Sequence, residues 1–379
     1  MRNFSRRVSA SIGILLALPL MTAQAQEPSQ IVLIGLIGSM KLVRGQTAHD
    51  AAQLAIDEAN KSDIRIGGKL TRFKLFVADD KNDVNIAAIT ARAAVAAGVV
   101  GVIGHLTTDA SIAAAPVYRD AGIPQVSPTA AGREFTKLNY PTIFQMLGNS
   151  EVTPKYLAEA ALGVIRARRI VIIDDNTSLG VDLAKNFIAN LQRKGVRVVE
   201  HEQLASARTS EFNTAIAKIQ NANADLVCFA GILPQTMALS SRLQQMNMNV
   251  PLLLASGAIN SDFPQRSDEY PEGTMVLAPG IAPDKVADYK RLVATYREKF
   301  KAPLIPQSWL TYDAVGILID AMKKADSTTP QRLPAILHKI KFNGVSGQIS
   351  FDQEGNLNNP RYTLYRAGKG SWEAVKTFP

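Results

Sequence analysis

The sequence predicts an α/β chain built as two parallel-sheet halves, and three observations carry that prediction. Short apolar runs alternate with segments whose apolar residues recur at helical spacing, the rhythm of buried strands and covering helices. That rhythm pauses after Ser127 and restarts at Ile170, which gives two βαβ series in place of one continuous sheet. The chain has 379 residues, 46% of them hydrophobic, beyond the roughly 250–300 residues at which a single core stops growing.

The first series has strands at Ile31–Leu36, Phe73–Val77, Val99–Ile103 and Ile123–Ser127. Helices at Ala48–Ala59, Val84–Ala97 and Ser111–Ala121 separate them. The second has strands at Ile170–Ile173, Val196–Val199, Leu226–Phe229 and Pro251–Ala255, with helices at Val181–Leu191, Phe212–Ile219 and Thr236–Gln245. The last third is no third copy. Pro283–Phe300, Gln307–Lys324 and Leu333–Ile340 read as helices, followed by short alternating strands at Gln348–Phe351, Tyr362–Arg366 and Trp372–Lys376. These pieces complete the two halves, so the chain crosses between them near Gly148, Ala278 and Pro360. Several linkers acting together make a hinge, and ligands of open α/β sheets bind beyond the carboxyl ends of strands. A cleft between two lobes is expected.

The N-terminus reads as an export signal. Arg2, Arg6 and Arg7 precede the apolar stretch Ile12–Met21 and the small-x-small triplet Ala23-Gln24-Ala25, the layout of a secretory leader cleaved before Gln26. The apolar stretch is too short for a bilayer span, so the mature chain is expected in the periplasm or outside. The formal charge of +9 falls to +6 when the three leader arginines are removed, and basic residues elsewhere alternate with acidic ones. Nothing there calls for nucleic acid.

Catalytic chemistry is sparse. The histidines His49, His105, His201 and His338 sit in no metal-ligand spacing, and Cys228 lies mid-strand among apolar neighbours. No nucleophile elbow, dinucleotide fingerprint or P-loop occurs. Gly98, Gly101 and Gly104 read as close-packing positions. The pairs Asp79-Asp80 and Asp174-Asp175 end strands, where turn and helix-start roles are usual. No cofactor, no metal and no enzyme activity are expected. What stands out is an anion cradle. After Val99–Ile103 the chain reads Gly104-His105-Leu106-Thr107-Thr108-Asp109 and enters a helix, and the next strand ends Ser127-Pro128-Thr129-Ala130-Ala131-Gly132. Hydroxyls and free N–H groups at a helix start suit a carboxylate, and capping by Thr108 or Asp109 is compatible with that role.

These two segments, with Ala121-Gly122-Ile123-Pro124, Arg169-Ile170-Val171-Ile172, Pro271-Glu272-Gly273, Trp309-Leu310-Thr311-Tyr312 and Gly347-Gln348-Ile349-Ser350-Phe351-Asp352, resemble the leucine/isoleucine/valine-binding protein family of periplasmic receptors. The resemblance covers nearly the whole mature chain. It implies the type I periplasmic-binding fold, with two Rossmann-like lobes joined by a three-crossover hinge. Lobe 1 would comprise 26–147 with 279–359, and lobe 2 148–278 with 360–379. It also implies a monomeric substrate-binding protein that closes on a solute and delivers it to an ABC permease in the inner membrane. A periplasmic ligand-sensing receptor without transport would use the same fold.

Carried over residue by residue, the resemblance puts Thr108 on the family's carboxylate-binding hydroxyl, and Thr129 and Ala130 on its backbone contacts. Ala131 and Ser256 stand where amino-acid binders place a threonine and an acid for the α-ammonium. Arg44, Leu179 and Ile232 stand at tyrosine positions, and Gln307 where an aromatic side chain often closes the pocket. A kept carboxylate cradle beside a lost ammonium clamp points to a small organic acid, with the Arg44 fork as a further carboxylate partner. An amino acid is the alternative, with Asp174, Asp175 or Asp313 as a relocated ammonium partner.

Overall fold

A computed structural model describes residues 29–204, 209–231, 233–255, 270–282, 285–286, 289–302, 306–369 and 371–379. The leader segment lies outside them. The first half begins with Ser29–Gly38 (β1), Val43–Asn60 (α1), Arg65–Ile66 (β2), Lys69–Asp79 (β3) and Val84–Ala96 (α2). It continues through Gly101–Gly104 (β4), Thr108–Ala121 (α3), Gln125–Ser127 (β5), Arg133–Lys137 (α4) and Ile143–Gln145 (β6). The six strands order β2-β3-β1-β4-β5-β6, parallel except for the short β2.

The second half opens with Thr153–Glu159 (α5), then Ile170–Asp174 (β7), Ser178–Arg193 (α6), Glu200–Gln203 (β8) and Thr209–Asn221 (α7). Leu226–Ala230 (β9), Leu233–Gln245 (α8), Leu252–Leu254 (β10) and Met275–Pro279 (β11) follow. The chain then forms Tyr289–Phe300 (α9), Pro306–Ala325 (α10), Leu333–Leu337 (α11), Phe342–Gly344 (β12), Gly347–Ile349 (β13), Tyr362–Ala367 (β14) and Trp372–Phe378 (β15). The second sheet orders β15-β14-β11-β10-β9-β7-β8, and β14 and β15 join it antiparallel.

Packing shows which half owns the last third. Ala314, Val315, Leu318 and Met322 of α10 share a buried cluster with Val32, Ile34 and Leu36 of β1, so the C-terminal helices cover the first sheet. Leu364 and Phe378 join Ile170, Ile172 and Cys228 under the second. Burying each such aliphatic chain contributes about 1.5–3 kcal/mol. The chain therefore passes between the halves three times, and the three passages are bonded to one another. The Gly280 N–H donates to the Arg361 carbonyl at 2.7 Å, and the Tyr362 hydroxyl to the Gly148 carbonyl at 3.0 Å.

Some details differ from the sequence reading. The second-half strand expected at Val196–Val199 forms four residues later, as β8. Val196 and Val198 pack against the core below α6, while the polar Glu200–Gln203 stretch pairs with β7 at the sheet edge, where side chains need not be apolar. The helix expected at Ser111 begins at Thr108. The helix expected at Pro283 is described from Tyr289, and Leu333–Ile340 yields a helix only to Leu337. Gly101 is a close-packing position, since a Cβ there would lie 2.9 Å from Leu318 Cδ1. Gly98 is not: it has φ +79° with open space around it.

Candidate functional site

Strand order reverses between β1 and β4 in the first sheet and between β7 and β9 in the second. Crevices open at the carboxyl ends of strands at such reversals. Arg44 follows β1, Leu106–Thr108 follow β4, Asp175 and Thr177 follow β7, and Gly231 follows β9. All line one cavity of about 210 Å³ between the halves.

On the first wall, α1 starts hard against the end of β1, because a Cβ on Gly45 would lie 2.1 Å from the Ser39 carbonyl oxygen. This holds Arg44 beside the next loop. Its Nη1 reaches the Leu106 carbonyl at 3.4 Å, and the Thr129 hydroxyl donates to the same oxygen at 2.7 Å. Burial pulls the guanidinium below its ordinary pKa, yet a guanidinium stays charged in proteins. Among the described residues no carboxylate pairs with it. Beside it α3 begins without a cap: Thr107 is extended and makes no side-chain capping bond, so the first-turn N–H groups face the cavity with the positive end of the helix dipole. Thr108 Oγ1 accepts the Gly132 N–H at 3.0 Å, which leaves its own proton to donate.

The second wall is finished differently. Asp175 accepts from the Thr177 N–H at 3.2 Å and the Thr177 hydroxyl at 2.6 Å, and Thr177 Oγ1 caps α6 by accepting the Gly180 N–H at 3.0 Å. Gly180 must be glycine, since a Cβ would lie 2.2 Å from Asp175 Oδ1 and 2.7 Å from the Ala230 carbonyl. Leu179, Leu183, Ala255 and Pro279 complete an apolar surface.

Of the residues expected at the site, Arg44, Thr108, Thr129, Ala131 and Leu179 line this cavity. Ala130 lies behind the wall, fully buried with its N–H given to Ser127 Oγ at 3.1 Å. Ile232 and Ser256 lie outside the described residues, and of Gln307 only its place in the first turn of α10 is described. Asp174 turns away into a 2.7 Å contact with His201, and Asp313 is buried under the Val345 and Ser346 N–H groups. Asp175 alone of the three suggested aspartates lines the cavity. Leu106, Leu147 and Thr177 line it as well, beyond the residues the sequence points to. The signal for Leu106 and Thr177 was their place just past a strand end.

His105 is buried between Asp80 at 2.7 Å and the Tyr118 hydroxyl at 3.1 Å, beneath the first wall. Cys228 is buried, and burial pushes its thiol pKa up. Among the described residues no His, Cys, Asp or Glu cluster suits a metal ion, and no helix is long and apolar enough to cross a membrane.

A binding protein for leucine, isoleucine, valine, threonine and alanine from Pseudomonas aeruginosa is 25% identical over 347 residues, covering 90% of this chain and 91% of that one. The crystal structure of a leucine-binding protein from Thermotoga maritima superposes with a TM-score of 0.82 at 22% identity, over 92% of this chain and 98% of that one. A solute-binding protein of an ABC transporter from R. palustris, solved with benzoate, gives 0.81 at 16% identity, over 92% and 96%. These likenesses establish the type I periplasmic-binding fold, with its two lobes and three crossovers. The periplasmic binding protein family model matches residues 32–371, and the chain belongs to that family.

Proposed function

We propose that the chain is the solute-binding subunit of an ABC importer and that it holds a small carboxylate-bearing solute between its lobes. Export by the leader would place it in the periplasm, and a single copy would close on the solute and dock on the permease. One observation carries the solute class: the half-buried Arg44 guanidinium, without a carboxylate partner among the described residues, shares a cavity with Thr108 and the uncapped start of α3. A guanidinium, a hydroxyl and free N–H groups converging on one place suit a carboxylate. The benzoate complex of the R. palustris protein and the leucine-binding relatives share that group.

A second reading keeps the carboxylate and adds an ammonium. Asp175 on the opposite wall is placed to face the α-amino group of an amino acid, in a position other than the family's usual clamp.

The test is a thermal-shift screen of the mature chain, stripped of carried-over solute by unfolding and refolding. Ligand at about 100 times its dissociation constant adds about 2.7 kcal/mol, a shift of a few degrees. Benzoate and other carboxylates lacking an amino group should stabilise the chain. A response confined to leucine and its kin would establish the second reading, and a response to neither would sink the proposed solute class.

A further inference from the structure

Five threonines line the cavity, and a hydroxyl has one proton to give and two lone pairs to accept with. Where each proton goes decides what the threonine offers a solute. Thr108 Oγ1 accepts the Gly132 N–H at 3.0 Å, and neither Thr108 nor Thr107 has an acceptor for its own proton among the described residues. Both stand at the start of α3 and remain donors.

The other three have spent their protons. The Thr129 hydroxyl donates to the Leu106 carbonyl at 2.7 Å, and the Thr177 hydroxyl to Asp175 Oδ1 at 2.6 Å. Thr153 is buried just past the first crossover. The Tyr362 hydroxyl gives its proton to the Gly148 carbonyl at 3.0 Å, so in the 2.6 Å contact between Tyr362 and Thr153 the threonine is the donor. Thr129, Thr153 and Thr177 therefore have only lone pairs left. An acceptor that a bound solute shuts off from water and leaves unmet costs free energy, so a solute that brings a proton to it is favoured.

Thr129 is the one beside the carboxylate position. Its hydroxyl and Arg44 Nη1 bond the same Leu106 oxygen, at 2.7 Å and 3.4 Å, so a carboxylate held by Arg44 has its α-carbon close to Thr129. An ammonium or a hydroxyl on that carbon has a proton to give. An ammonium would be set near the guanidinium, where like charges repel. The acids of the lining do not answer it on this side: Asp109 is exposed at the start of α3, and Asp175 stands on the opposite wall, bonded to Thr177. A hydroxyl donates without bringing a charge.

We infer that the solute is an α-hydroxy acid, its carboxylate held by Arg44 and Thr108 and its hydroxyl donating to Thr129 Oγ1. The inference deepens the proposed function and rests on its carboxylate reading.

Titration calorimetry of the mature chain with matched acids tests it. α-Hydroxyisocaproate, isocaproate, α-ketoisocaproate and leucine share one branched chain. They differ only at the α-carbon, which carries a hydroxyl, no substituent, a carbonyl oxygen or an ammonium. Mandelate and phenylacetate repeat the first pair on an aromatic ring. The hydroxy acid should bind roughly three- to ten-fold tighter than its plain partner, the worth of one neutral hydrogen bond. The keto acid, which only accepts, should bind no tighter than the plain one. Thr129→Val should abolish the preference and Thr129→Ser should keep it. A loss shared equally by hydroxy and plain acids would show Thr129 to be only a tie to Leu106, and would overturn the inference. Plain acids that bind as tightly as hydroxy acids would overturn it too, while leaving the carboxylate reading in place. Leucine binding tighter than α-hydroxyisocaproate would replace it with the amino-acid reading. Binding of none of these acids would defeat the carboxylate reading, and the inference with it.

Discussion

Both walls of the cavity form where strand order reverses, one between β1 and β4 and the other between β7 and β9, and each presents the start of a helix. On the first wall α3 is uncapped and a guanidinium stands beside it. On the second, Thr177 caps α6 and Asp175 supplies the negative charge that a helix start favours. The same local architecture is therefore finished differently: the first wall sets a guanidinium beside an uncapped helix start whose own acid is the exposed Asp109, while on the second the acid is bonded to the capping threonine. On the proposed function the solute carboxylate sits on the first wall beside Arg44, and apolar or proton-donating groups suit the second.

Removing the cation should break the comparison most. Arg44→Ala leaves only the Thr108 hydroxyl and the start of α3 for the anion, and loss of a charge-assisted hydrogen bond costs about 1.5–3 kcal/mol. Titration calorimetry with the best carboxylate should show a roughly ten- to hundred-fold weaker affinity. Affinity unchanged within two-fold would mean that the guanidinium holds nothing but the Leu106 carbonyl.

Asp175→Asn sharpens the comparison from the other side. It removes the charge of the second wall while keeping one acceptor oxygen. An amino acid whose ammonium faces Asp175 should lose about ten-fold in affinity, since hydrogen bonds to charged groups contribute about 1.5–3 kcal/mol. A carboxylate without an amino group should bind equally well or slightly better, because a like charge has gone. The sign of the leucine-to-benzoate ratio in competition calorimetry separates the two solute classes.

How much of this was legible in the sequence depended on whether the feature was local. The Gly104–Asp109 cradle could be read because strand end, hydroxyls and helix start are contiguous, and Thr108 does line the cavity. Asp174 and Asp175 could not be told apart, because both are acids at a strand end. Side-chain alternation sends one towards His201 and the other into the cavity, and that choice needs the paired strand β8. The shift of β8 from Val196–Val199 to Glu200–Gln203 has the same origin: apolar content marked where the chain is buried, while the ladder formed where the backbone met β7. β11, an apolar run buried at every residue, lies where the sequence analysis places a crossing near Ala278, and its place in the sheet comes from its pairing with β10 and β14.

The smallest effect tests the caps themselves. Thr177→Ala removes the acceptor for the Gly180 N–H and the donor to Asp175, so it should cost about 1 kcal/mol, the usual loss for a helix cap. In thermal unfolding of the ligand-free protein that is a fall of a degree or two for a chain this long. Thr107→Ala, at the matching position of α3, removes no capping bond and should leave the midpoint almost unmoved. Equal losses from the two substitutions would show that α3 is capped after all. The start of α3 would then offer no free capping N–H groups, and Arg44 with the Thr108 hydroxyl would have to account for the proposed solute carboxylate.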